Sequence, residues 1–86
     1  MAVRRRREIS KSEEIVVGES AGRMTKSDAW VRAIDGLHEK YFAAWKSAKT
    51  PEDREMIFAK LTVIGDVESE FRSMENNAEV LKREVH

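Results

Sequence analysis

Thr50-Pro51-Glu52-Asp53 separates two amphipathic stretches and fixes the course of the chain between them. Proline lacks an N–H and its ring clashes with the preceding turn, so a helix arriving from the N-terminal side must stop before Pro51. The same residue suits the first position of a new helix. Thr50 is placed to cap that helix, and Asp53 stands where a capping-box acid reaches back to the cap's own N–H. Within Lys46–Arg54, therefore, one helix ends and another begins. The expected fold is all-α, an antiparallel helical hairpin with limbs at about 26–48 and 51–75 or 51–83.

Periodicity on both sides supports helices. A start at Thr25 to Ser27 is expected, with Thr25 and Asp28 at capping-box spacing. Trp30, Ile34, Leu37, Tyr41 and Ala44 then follow steps of four and three, and Val31, His38, Phe42 and Trp45 widen this seam. Beyond Pro51, Ile57, Leu61, Ile64, Val67, Phe71 and Met74 continue the same rhythm, with Ala78, Leu81 and Val85 after them. Asn76-Asn77 is a weak spot of poor helix formers, and Asn76 with Glu79 resembles another cap. A continuous helix is favoured over a short third one.

The first 24 residues show no such period and contain Gly18, Ser20 and Gly22. They are expected to form a flexible arm, leaving residues 25–86 as the helical domain. Ile9 and Ile15-Val16-Val17 are the arm's only apolar handholds, suited to a short added strand or to a helix groove. The chain as a whole balances 16 basic against 16 acidic residues. Seven basic and four acidic residues nevertheless fall in residues 1–26, so a basic arm precedes a mildly acidic body. The longest apolar run, Ile15-Val16-Val17, is far below the ~20 residues of a membrane span, and no apolar segment follows the arginines as in a secretory signal. No membrane partner is expected. Cysteine is absent, which removes disulfides and thiolate chemistry.

Length and aromatic content point to self-association. At ~1.5 Å per residue the first helix spans ~33 Å and an unbroken second ~48 Å, so folding back from Thr50 leaves the segment beyond residue 75 without a mate. Two helices also bury one stripe each, too little to enclose Trp30, Tyr41, Phe42, Trp45, Phe58 and Phe71. A homodimeric four-helix bundle or higher oligomer is expected, built on Trp30, Ile34, Leu37, Tyr41, Trp45, Ile57, Leu61, Ile64, Phe71 and Leu81. Gly36 and Gly65, equidistant from the turn, are read either as facing each other for close backbone approach or, at Gly65, as a kink.

Sites of chemistry are sparse. His38-Glu39 begins like a zinc-protease helix, but Phe42 stands where the second imidazole is needed. Glu52, Asp53, Glu55, Asp66, Glu68, Glu70, Glu75 and Glu79 are spread around the second helix rather than paired in a cavity. Glu68 with Arg72 and Glu79 with Arg83 have the spacing of surface ion pairs. No enzyme, metal or cofactor is expected. Arg4, Arg5, Arg6 and Arg7 form the one motif with a direct functional suggestion, contact with phosphates or an acidic protein surface. Neither a basic helix face nor an aromatic residue in the arm accompanies them, so base-specific reading is not expected.

Tyr41-Phe-Ala-Ala-Trp45, Thr50-Pro-Glu-Asp-Arg-Glu55 and Leu61-Thr-Val-Ile-Gly-Asp-Val67 together resemble small α-helical proteins of tailed bacteriophages and prophages, over about residues 18–83. The resemblance implies a viral setting, in the host cytoplasm or the virion, and a role in virion assembly, packaging support or interference with host defence. It transfers no catalytic or binding residue, and the arginine-rich segment is not part of it. Three functions follow as expectations. The first is an accessory protein that associates with itself and with a virion or host protein. The second is a small inhibitor or ligand sponge with a site between subunits, and the third is non-specific nucleic-acid binding through the arm.

Overall fold

The computed structural model describes residues 10–85, which form three α-helices: α1 Lys11–Thr25, α2 Asp28–Ser47 and α3 Pro51–Val85. The described residues are thus all-helical, with three helices where two were expected. Both α1 and α2 pack on α3, and they barely touch each other. Contacts across the helices run in opposite directions along the chain: Lys11 meets Glu84, Lys26 meets Glu75, and the rings of Trp30 and Phe71 lie 4.7 Å apart. The two shorter helices therefore lie one after the other along the long one.

The arm expected over residues 1–24 is replaced from Lys11 onward by α1, while residues 1–9, with Arg4 to Arg7, lie outside the described residues. Ser10 starts this helix, its hydroxyl accepting from the Glu13 N–H at 3.2 Å, with Glu13 and Glu14 in the first turn where carboxylates suit the dipole. The buried residues of α1 are Gly18, Ala21 and Gly22, all small. A Cβ on Gly18 would collide with the Met74 carbonyl oxygen and the Ala78 Cβ, so the α1 backbone rests directly on α3. Lys82 and Glu19 pair at 2.9 Å along this joint, and Lys26 reaches Glu75 at 3.5 Å. The glycines that read as looseness are the contact itself.

Between α1 and α2 the cap is Ser27, not Thr25. The Ser27 hydroxyl accepts from the Trp30 N–H at 3.2 Å and donates to the Met24 carbonyl at 2.7 Å. Thr25 ends α1, donating to the Gly22 carbonyl. At the joint after α2, the Asp53 N–H donates to the Thr50 hydroxyl at 3.1 Å and Pro51 opens α3, the cap read from Thr50-Pro51, but the Asp53 carboxylate does not reach back to the Thr50 N–H. The Arg54 guanidinium folds back onto the Ala48 carbonyl at 3.3 Å, closing the end of α2.

The third helix continues through Asn76-Asn77 over 35 residues, ~52 Å at 1.5 Å per residue. The 15 residues of α1 and 20 of α2 match it. No end is left without a mate, contrary to expectation: Ala78 and Leu81 are buried, α1 covering the segment beyond residue 75. Gly36 and Gly65 do not face each other either. Both are exposed, and nothing lies within 4 Å of a Cβ added to either. Between α2 and α3 the contact is made by bulky side chains such as Trp30 and Phe71.

The core is thin. Ala21, Ile64, Ala78 and Leu81 are the buried apolar residues, and no large side chain is fully enclosed among the described residues. Trp30, Ile34, Leu37, Tyr41, Ile57, Leu61 and Phe71 are only half-buried.

Candidate interaction surfaces

Successive residues of a helix are turned by ~100°, so the inward seam of α3 (Ile57, Leu61, Ile64, Phe71) is flanked by a second stripe ~95° away. That stripe is Met56, Val63, Val67 and Met74, and all four are exposed, Met56 at 63% and Val63 at 58%. Leu37 and Tyr41 of α2 join it across an open groove of about 420 Å³, whose floor is completed by Ala59, Lys60 and Ile64. Further along the same side, Val16, Val17, Ala21 and Met24 of α1 meet Phe71 and Met74 in a groove of about 290 Å³. One side of the molecule is thus apolar along most of its length, interrupted by Lys40 and Lys60 beside the Tyr41 ring and by Ser20.

The opposite side is polar. A groove of about 270 Å³ there is lined by Trp30, Val31, Ile34, Asp35, Glu68, Arg72 and Glu75 among others. Three carboxylates face one guanidinium, a lining that repels phosphate. The His38 imidazole Nε2 lies 3.2 Å from a Glu68 oxygen, so this histidine sits at the edge of the seam beside an acid. Glu68 was expected to pair with Arg72 and Glu79 with Arg83; Glu68 instead meets His38, and Glu79 lies 3.8 Å from Lys82. Among the described residues no three His, Asp or Glu side chains gather as metal ligands would.

A third feature occupies the end near Thr50. The Phe42 and Trp45 rings are stacked at 6.5 Å and are about half exposed. Lys46 lies 4.6 Å over Phe42 and Arg54 5.7 Å over Trp45, placing cations on both ring faces. Phe58, one turn beyond Arg54, is also exposed. Trp45 and Arg54 are of the residue types that dominate binding energy at protein interfaces.

The residues expected to build an interface are therefore divided. Ile64 and Leu81 are buried; Trp30, Ile34, Leu37, Tyr41, Ile57, Leu61 and Phe71 line the α2–α3 joint; Trp45 stands at the tip. Sequence reasoning missed two groups. One is the small-residue contact of Gly18, Ala21 and Gly22, which has its own helical spacing of three and four. The other is the stripe from Met56 to Met74, whose Val67 and Met74 also fit the seam's steps of three and four. The Glu19–Lys82 pair also emerges only in three dimensions. Its hydrogen bond holds the Glu19 carboxyl below its ordinary range and the Lys82 ammonium above its own.

No family model, curated protein or solved structure matches this chain. Among the described residues no helix is long and apolar enough to cross a membrane.

Proposed function

We propose that this chain is a non-enzymatic assembly protein that works by helix-mediated association with itself and with a protein partner. The observation that carries this reading is the apolar side formed by the exposed Met56, Val63, Val67 and Met74 with the half-buried Leu37 and Tyr41, set against a core in which, among the described residues, only four apolar residues are buried. Small scaffolds with so little enclosed apolar surface gain most by burying more of it against another chain. In this reading α1 and α2 form one limb of a closed hairpin, α3 the other, and the Phe42–Trp45 tip meets the partner. The setting is the one implied by the resemblance to tailed-phage proteins, virion assembly or packaging.

Sedimentation of the full chain across a hundredfold range of concentration tests the reading. Concentration-dependent association is expected, and a monomer at every concentration overturns it. A second reading rests on the clustered guanidiniums of Arg4 to Arg7 and predicts salt-sensitive DNA binding that disappears when residues 1–8 are deleted. Capture of a nucleotide finds no support in the acid-lined groove.

A further inference from the structure

The apolar stripe of α3 reads the same in both directions. Met56 and Met74 are equally distant from Gly65, and so are Val63 and Val67. A twofold, isologous contact pairs residue i of one copy with residue j of the other and j with i, so a stripe of this kind sets methionine on methionine and valine on valine. From this symmetry we infer that the occupant of the apolar side is a second copy of the chain, packed antiparallel with its twofold axis level with Gly65. Met56 then meets Met74 of the second copy, and Val63 meets its Val67. This inference rests on the self-association proposed above and names its face and direction.

Size and shape agree. Two helices ~10 Å apart and ~50 Å long present roughly 900 Å² on one side, against ~800 Å² per partner in interfaces of standard size. Close packing at Gly18 makes the molecule narrow at one end, and the rings of Trp30, Tyr41 and Phe71 widen the rest. Antiparallel packing sets the narrow end of one copy on the wide end of the other, as a four-helix bundle of even width requires. The polar side, with His38–Glu68 and Lys26–Glu75, then faces water.

The absence of cysteine makes the test direct. In the antiparallel pair, residue 56 of one copy lies ~27 Å from residue 56 of the other along the helix, beyond the ~7 Å that a disulfide spans. Under mild oxidation, neither Met56→Cys nor Met74→Cys alone is expected to cross-link. An equimolar mixture of the two, and the double variant, are expected to give a disulfide-linked dimer. Val63→Asp, at a site exposed in the single chain, is expected to weaken association by at least roughly tenfold while helix content stays unchanged. Arg72→Glu on the opposite side should leave association as it is. Cross-linking of Met56→Cys to itself shows a parallel pair and overturns the antiparallel arrangement while self-association stands. Association that survives Val63→Asp overturns the choice of face. A wild-type chain that sediments only as a monomer overturns both this inference and the reading on which it rests.

Discussion

Glycine has opposite meanings at different points of this chain. At Gly18 an added methyl group meets the backbone carbonyl of Met74 and the Cβ of Ala78, neither of which can swing aside. Gly18→Ala is therefore expected to destabilise the α1–α3 joint by about 1–3 kcal/mol, overpacking outweighing the gain of up to ~1 kcal/mol in helix propensity. Gly36 and Gly65 have open space where a Cβ would go and ordinary helical backbone, so alanine there should stabilise by about 0.5–1 kcal/mol each. Gly22 lies between these cases: its Cβ would press on the Glu75 carboxylate at 2.9 Å, the far end of a flexible side chain. Urea denaturation of the four single variants checks the order. Thr50→Ala removes the hydroxyl that accepts from Asp53 and should cost about 1 kcal/mol in the same assay.

At the level of elements, α1 is tied to α3 by charge as well as by close packing. Because Glu19 titrates below its ordinary 4.5 in the folded chain, its pairing contributes stability above that pH, and acidification removes the contribution. Lys82 titrates above its ordinary 10.5, so its part is full below that pH and fades as alkali passes the folded value. Both side chains are about two-fifths exposed, and screening by solvent keeps the effect small. Glu19→Gln is expected to lower the melting temperature slightly at pH 7 and to have a smaller effect near pH 3. An equal effect at both values would show that the charge is irrelevant.

The same helix shows what was legible in the sequence. The joint at Thr50-Pro51 and the seams of α2 and α3 announce themselves through proline, a capping hydroxyl and large apolar residues at steps of three and four. The first helix packs through Gly18, Ala21 and Gly22, whose contribution comes from closeness rather than from apolar bulk, and a scale built on bulk cannot register it. Missing α1 made the end of α3 look unpartnered and exaggerated one argument for association. The other argument, more aromatic rings than two helices can enclose, has its counterpart in the exposed Phe42, Trp45 and Phe58 near the turn.

For the whole molecule, the tightest joint lies at the end farthest from the turn. Lys11 and Glu84 stand 3.7 Å apart although nearly the whole described chain separates them in sequence. Contacts between such distant residues carry the entropy of closing a long loop, so they form late and slow the folding of a helical chain. Near Thr50, by contrast, α2 and α3 are joined by a short loop and hold little buried surface. Amides around Trp45 and Phe58 are expected to exchange hydrogen faster than those around Ala21 and Ala78, despite the proximity that the turn enforces. Uniform protection along α3 would contradict this. The glycine contact is thus the clasp expected to open last, and the aromatic tip the end expected to open first.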